Sequence, residues 1–218
     1  MTEYSLHSEI KNWYMAPGDE LEAKVEDFIV DIHRNKLLIE IQTRNFSAIK
    51  KKLKKLLLNN HIRLVYPIAK LKWIVHISKS GNFVRRRKSP KKGNLIDLFY
   101  ELVHMPELTK DKNFSLEVLI VEEEELRCYD GRGSRRRKGV SVKDRKLLNV
   151  LDRTLFKNSR DYLEFLPKEL DRHFTNKALA RKLGVPIRLA QKATYCLTRM
   201  GAISIAGKKR NEIVFSLF

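Results

Sequence analysis

The chain has 218 residues, 43% of them hydrophobic, which excludes a disordered chain and allows one large domain or two small ones. Its 45 Lys and Arg residues against 26 acidic ones give a formal net charge of +19, so we expect a polyanionic partner, with nucleic acid ahead of an anionic membrane surface. Two cysteines exclude a disulfide framework and a cysteine-rich zinc module, and no apolar run approaches the roughly 18 residues of a membrane span. We therefore expect a cytoplasmic protein with no membrane partner.

The charge is unevenly divided along the chain. Residues 1–130 hold 23 basic and 19 acidic residues, whereas residues 131–218 hold 22 basic and 7 acidic ones. A segment rich in glycine and arginine, 131–140, separates the two compositions. We therefore predict an N-terminal domain over 1–130, a basic linker over 131–140 and a C-terminal domain over 141–218.

Apolar periodicity predicts strands and helices in alternation through the N-terminal part. Two runs rich in β-branched residues, Phe28–Ile32 and Leu37–Ile41, flank Asn35-Lys36 and predict a β-hairpin. A helix over Ala48–Asn59 and a strand over Ile62–Ile68 follow, and strand, helix and strand in this order demand a parallel pair. The remaining predicted elements are a helix over Leu6–Met15, strands over Leu71–Ile77 and Ser115–Val121, and a helix over Leu95–Val103.

The hairpin places two acidic residues opposite each other. Centring its loop between Asn35 and Lys36 pairs Asp31 with Glu40, and Gln42 shares their face because side chains alternate along a strand. Directly opposed like charges are destabilising, so a divalent cation held by both carboxylates would offset their repulsion. The alternative is a solvated edge hairpin whose acids pair with surface lysines.

The order of these elements resembles the catalytic core of the restriction-endonuclease-like, or PD-(D/E)xK, nuclease superfamily over about residues 6–80. The resemblance implies an α/β fold with a mixed sheet and a catalytic set of Glu9, Asp31, Glu40 and Gln42. In that family, an acid on the second strand and an acid-x-lysine on the third hold Mg²⁺ over the scissile phosphate. Asp31 and Glu40 are thus the implied ligands of Mg²⁺ or Mn²⁺, and Glu9 is the helical acid that assists.

Gln42 stands where the family has lysine, and glutamine can orient a water but cannot carry charge. The water would then need the metal or another group to activate it. The implied chemistry is hydrolysis of phosphodiester bonds in DNA. Many nucleases of this class cut duplexes as homodimers.

Five lysines follow the hairpin on the helix predicted over 48–59, with no acid between them. Surfaces that need only solubility normally mix both signs of charge, so the run is typical of a surface that binds a nucleic-acid backbone. The candidate contacts are Lys51, Lys52 and Lys55. The alternative is the solvated face of an amphipathic helix.

The C-terminal part has the pattern of helices followed by a basic hairpin. Ser141 with Asp144 predicts a capped helix that carries a leucine stripe over 147–155. Further helices are predicted over Lys177–Leu183 and from Pro186 to Met200, before a hairpin of Ala202–Ala206 and Glu212–Leu217.

This order resembles a winged helix-turn-helix domain over about residues 141–218, in which the second helix enters the major groove of DNA. The implied nucleic-acid contacts are Arg188, Gln191, Lys192 and Arg199 on that helix and Lys208, Lys209 and Arg210 on the wing. The alternative is a winged helix used only for protein contacts.

Three smaller features complete the candidate set. Arg135, Arg136 and Arg137 in the linker either contact phosphates or form a disordered basic hinge, and both readings stay open. The run Glu122–Glu125 is predicted as a solvated strand end, and His33 is expected on the face that carries Asp31.

The sequence thus predicts a metal-dependent DNA nuclease with a winged helix for nucleic-acid binding. The alternative is a non-catalytic DNA-binding protein or transcriptional regulator with a degenerate nuclease-like domain. RNA is a less favoured ligand than DNA. No glycine-rich phosphate-binding loop occurs, so no nucleotide cofactor is expected.

Overall fold

A computed structural model describes residues 5–133, 135 and 138–217. The fold is mixed α/β, with one large sheet of parallel and antiparallel strands and a second, three-stranded sheet. Its elements are α1 (Ser5–Tyr14), β1 (Glu20–Val25), β2 (Phe28–Arg34), β3 (Leu37–Ile41), α2 (Phe46–Leu56), β4 (His61–Ile77), β5 (Phe83–Lys88), α3 (Phe99–Leu102), β6 (Phe114–Tyr129), β7 (Val140–Phe156), β8 (His173–Thr175), α4 (Asn176–Leu183), α5 (Ile187–Met200), β9 (Ile203–Lys209) and β10 (Glu212–Leu217).

The large sheet has the strand order β1-β2-β3-β4-β6-β7, and β5 pairs with the far end of β4. The hairpin of β2 and β3 is confirmed: Ile32 lies opposite Ile39, and Asn35 takes a left-handed φ of 52° in the two-residue turn. The parallel pair is also confirmed, because β3 runs alongside β4 after the α2 crossover, with Ile39 opposite Arg63.

Two hydrophobic layers hold the sheet, one on each face. Leu6 and Ile10 of α1 pack on Ile39 and Val65 on one face. The other face is covered by α2, α3 and the segments around them, and its cluster includes Leu53, Leu56, Leu64, Phe99 and Leu102. Because the carboxylate Glu40 lies between Ile39 and Ile41 on a fully covered strand, its burial is fixed by the packing of its neighbours.

The strands beyond the first half of the sheet are longer than the sequence predicts. The predicted strands Ile62–Ile68 and Leu71–Ile77 form one strand, β4, with a register shift between Ala69 and Leu71. The strand predicted over Ser115–Val121 continues to Tyr129 as β6. As a result, β4 and β6 carry the sheet well beyond the end of β3.

The helix predicted from Ser141, with its leucine stripe over 147–155, is wrong, because this segment is part of β7, which pairs antiparallel with β6 along its whole length. The stripe of leucines is not a buried helical face: Leu148 and Leu151 are 44% and 41% exposed on an edge strand. Pairing with the long β6 overrides the local pattern. Segment 131–140, predicted as a linker, forms the connection between β6 and β7, where the Gly131 N–H donates to the Gly139 carbonyl at 3.0 Å.

The C-terminal elements confirm the predicted helix ends and hairpin. The Thr175 side chain accepts the Ala178 N–H at the start of α4, and Gly184 and Gly201 end α4 and α5 with φ of 63° and 75°. The strands β8, β10 and β9 form the small sheet in that order. One face of α5 is buried, including Ala193 and Leu197.

In the described ranges, no helix combines the length and apolar character that a bilayer crossing requires.

Candidate functional site

The two strands of the hairpin separate at the position of Asp31. Their paired positions end at Ile32 and Ile39, and the Asp31 Oδ2 accepts the Ile41 N–H at 2.7 Å. If the pairing of β2 and β3 continued, the Ile41 N–H would donate to a backbone carbonyl of β2. The Asp31 carboxylate takes the place of that carbonyl. The opening between β2 and β3 lets side chains reach Asp31 and Glu40 from both faces of the sheet.

Four polar side chains meet at this opening, which we call the fork site: His7, Asp31, Glu40 and Lys52. The His7 Nε2 lies 2.9 Å from Asp31 Oδ1, and Lys52 Nζ forms an ion pair with Glu40 Oε1 without the alignment of a hydrogen bond. Lys52 also donates to the carbonyl of Ile29 on β2. Helix α1 thus supplies His7 from one face, and α2 supplies Lys52 from the other.

The side chains at the fork site are largely buried, but most remain partly accessible to solvent. Exposed fractions are 19% for His7, 17% for Asp31, 20% for Lys52 and 6% for Glu40. Solvent therefore reaches three of the four groups, while the low exposure strengthens their mutual electrostatics.

The environment separates the acidities of the two carboxyls. Burial alone would raise the pKa of Asp31, but His7, the Ile41 N–H and Lys11 more than offset it, so this pKa lies below its ordinary value. Burial and the charge of Asp31 raise the pKa of Glu40 to about 7, although Lys52 and His7 oppose the rise. Near neutral pH Asp31 is ionised and Glu40 is poised to gain or lose a proton.

The expectation that Glu9 assists the two acids is wrong. Its Oε2 accepts the Leu147 N–H and ties α1 to β7. Helix geometry gives the reason: residues 7 and 11 share one face, and residue 9 lies about 200° away from residue 7 around the axis. The helical residue at the fork site is His7.

Gln42 and the lysines of α2 also differ from expectation. The Gln42 amide donates to the carbonyls of Arg44 and Asn45 and so stabilises the turn before α2. Lys52 is not part of a solvated lysine face but points to Glu40, whereas Lys51 and Lys55 are exposed. Helix α2 therefore places a positive charge beside Glu40 of β3.

In this structure His7 and Lys52 offset the repulsion of the two acids, so their proximity does not by itself require a bound cation. No group of three or more His, Cys, Asp or Glu residues suited to a metal occurs among residues 5–133, 135 and 138–217. The two carboxylates nevertheless fit Mg²⁺, which binds through one or two carboxylates and completes its shell with water and phosphate. Glu40 Oε1 is buried against the Lys52 ammonium, so a metal ion that binds this oxygen has to displace Lys52.

His33 lies outside the fork site. Its Nδ1 is 3.2 Å from Glu20 Oε2, on the outer edge of the hairpin.

The C-terminal candidates lie on an accessible surface. On α5, Arg188, Gln191 and Arg199 are exposed and Lys192 is partly so. On the hairpin of β9 and β10, all three predicted cations are exposed: Lys208, Lys209 and Arg210. Gln191, Lys209 and Arg210 line one groove between α5 and this hairpin.

Of the linker arginines, Arg135 is exposed, and Arg136 and Arg137 lie outside the described residues.

The prediction of a solvated strand end over 122–125 is wrong for Glu123 and Glu125, whose charged cluster the sequence analysis missed, whereas Glu122 and Glu124 are partly exposed. Glu123 and Glu125 are 4% and 2% exposed. They continue the buried alternation of Leu119 and Val121 along β6, and this period of two was the available signal.

The chain belongs to the family described as "Domain of unknown function (DUF8091)", whose model matches residues 4–157. An uncharacterized protein of Treponema pallidum (strain Nichols) is 29% identical over 190 residues, which cover 86% of this chain and 76% of that protein. No solved structure matches the chain. The family match ends one residue after β7, so it takes in the whole fork site and the large sheet.

Proposed function

We propose that the protein is a metal-dependent nuclease that hydrolyses phosphodiester bonds of DNA at the fork site. The observation that carries the proposal is the meeting of Asp31, Glu40 and Lys52 where β2 and β3 separate. Two carboxyls with acidities pushed apart and one ammonium are the groups that phosphodiester hydrolysis needs.

The order of elements supports the same proposal. Helix α1, three antiparallel strands, α2 and a parallel β4 follow one another in the order of the PD-(D/E)xK core. The acids stand on the second and third strands, as in that family. Lys52 takes the role of the family lysine, which Gln42 cannot fill.

Each residue of the fork site has a distinct task in this proposal. Asp31 and Glu40 would hold the divalent cation, which when bound polarises a phosphate oxygen and lowers the pKa of water. His7 and the Ile41 N–H keep Asp31 ionised and fixed in position. Lys52 neutralises Glu40 in the free protein and is the cation nearest to an incoming phosphate.

The C-terminal elements would position the DNA. Strand, helix, helix and basic hairpin follow in the order of a winged helix-turn-helix, with Arg188 and Gln191 on the exposed side of α5. The net charge of +19 supports a strong, salt-dependent attraction to the backbone.

A nicking assay tests the proposal. Supercoiled plasmid and single-stranded DNA are incubated with Mg²⁺ or Mn²⁺ and the full chain, and with Asp31→Asn, Glu40→Gln and Lys52→Met. We expect metal-dependent cleavage that falls at least about 100-fold in each variant.

Two variants serve as matched controls. Glu9→Gln removes a nearby acid that faces β7, and Lys54→Met removes an exposed lysine of the same helix. Both should cut within a fewfold of the wild type. Cleavage by the wild type that persists in Asp31→Asn would refute the proposal.

A non-catalytic DNA-binding protein is the second candidate. The observation that favours it is that His7 and Lys52 already satisfy both carboxyls, as in a site that serves only stability. DNA binding without cleavage of any substrate, at any divalent metal, would establish this function.

A further inference from the structure

We propose that the sheet face formed by β5, β4 and β6 beyond the end of β3 binds the sugar–phosphate backbone of the nucleic acid that enters the fork site. We call it the basic sheet face and define it by Arg85, Arg87, His76 and Arg127. The proposal rests on the proposed function for the identity of its ligand.

The register of three strands builds this face. Arg85 on β5 lies opposite His76 on β4, and His76 lies opposite Arg127 on β6, so the three side chains form a row across the sheet. Two residues along β5, Arg87 extends the face opposite Ile74. Neither Arg85 nor Arg87 has an acidic partner within the described part of the chain, and every residue of β5 is exposed.

Two buried acids hold Arg127 of this row together with two further cations, Arg145 and Lys72. Glu125 accepts a hydrogen bond from Arg127 at 2.7 Å and pairs with Arg145 at 3.3 Å and Lys72 at 3.5 Å. Glu123 pairs with Lys72 at 2.6 Å. The side chains of the two acids are 5% and 2% exposed and those of the cations 22% to 23%, so the positive groups lie between the acids and the solvent.

Among the described residues, Lys72, Arg127 and Arg145 surround Glu123 and Glu125, and the unpaired Arg85 and Arg87 add positive charge beside them. Burial and the charges of Arg85, Arg127 and Arg87 lower the pKa of His76, which is the expected response to a positive field. Such prearranged guanidinium groups suit the paired oxygens of a phosphate.

A cavity extends from this charged cluster toward the end of β3. Its lining includes Lys72, Glu123 and Arg145 of the cluster, and Leu6 and Thr43, which lie within three residues of His7 and Glu40 in the chain. This proximity to the proposed phosphodiester site, together with the net charge of +19, favours nucleic acid over an acidic protein as the occupant.

The test compares the two sides of a single strand. Arg85→Ala/Arg87→Ala removes two charges from the basic sheet face, and Arg86→Ala/Lys88→Ala removes two from the opposite side of β5, where Arg86 stacks on Trp73. Binding of a labelled DNA duplex of about 30 base pairs is measured in EDTA between about 50 and 200 mM salt. Thermal midpoints check that both variants are folded.

We expect the Arg85/Arg87 variant to bind about tenfold more weakly, with a salt slope reduced by roughly 2, and the control to change by less than about threefold. Equal losses in both variants would show that only net charge matters and would overturn the proposal. Unchanged affinity in the Arg85/Arg87 variant would also overturn it and point to another occupant, such as an acidic protein.

This outcome is separable from that of the nuclease proposal. Binding in EDTA does not require cleavage, and Asp31→Asn can be used throughout as the background. If the wild type never cuts DNA but affinity falls only in the Arg85/Arg87 variant, the proposed binding surface is supported and the nuclease proposal fails.

Discussion

Glu40 links stability to function at the scale of a single residue. Its pKa is raised from 4.5 to about 7 because folding buries it beside Asp31. The folded state therefore holds a proton that the unfolded chain releases, and the free energy of unfolding falls as the pH rises from about 4.5 to 7. Keeping an ionisable group at this position therefore costs stability above neutral pH.

We predict that Glu40→Gln stabilises the protein by about 1–3 kcal/mol at about pH 8, because the amide removes the buried negative charge. The gain should vanish near pH 5, where Glu40 is already protonated. Urea unfolding at both pH values measures the difference, with exposed Glu169→Gln as the control. A variant that is less stable than the wild type at pH 8 would show that the ion pair with Lys52 outweighs the burial.

At the scale of elements, local sequence determines some features and not others. The hairpin of β2 and β3 and the ends of α4 and α5 were predictable because turn and glycine signals act within a few residues. The strand β7 was not, because its pairing with β6 is long-range and its leucine spacing fits a helix equally well. The same limit hid the role of Lys52, whose contact with Glu40 depends on how α2 packs.

The hairpin of β9 and β10 gives the element-scale prediction. We predict that the triple variant Lys208→Gln, Lys209→Gln, Arg210→Asn binds DNA more weakly. Its salt slope should be reduced by about 2–3, because three positive side chains no longer contact DNA phosphates. Asn replaces Arg210 since this position has a left-handed φ of 54°. Fluorescence anisotropy across a salt titration measures the effect.

The control carries the same charge change at exposed lysines elsewhere, Lys36, Lys110 and Lys112, each replaced by Gln. If the control lowers the slope as much as the hairpin variant does, the hairpin has no special contact with DNA.

At the scale of the whole molecule, one hydrophobic cluster runs from the large sheet into the C-terminal helices. Leu102 and Met105 belong to the same cluster as Leu189 and Leu197 of α5. Phe156 at the end of β7 stacks on Tyr162 at 4.6 Å. The fork site and α5 are therefore held in a fixed relation, which suits an enzyme that positions DNA with one part and acts on it with another.

We predict that a fragment truncated after residue 157, where the family match ends, will not unfold cooperatively. It would expose several large apolar side chains, each worth about 1.5–3 kcal/mol when buried. Differential scanning calorimetry of the fragment beside the full chain checks this. A sharp transition in the fragment would mean that the large sheet folds alone.

Calorimetric titration with Mn²⁺ tests the central claim, that the carboxyls of Asp31 and Glu40 together bind a divalent cation. We predict one site at about pH 8, weaker at about pH 6 because the proton on Glu40 competes, and lost in Asp31→Asn. Absence of binding in the wild type, or equal binding by Asp31→Asn, would contradict the claim and leave a protein that binds DNA through its cationic surfaces alone.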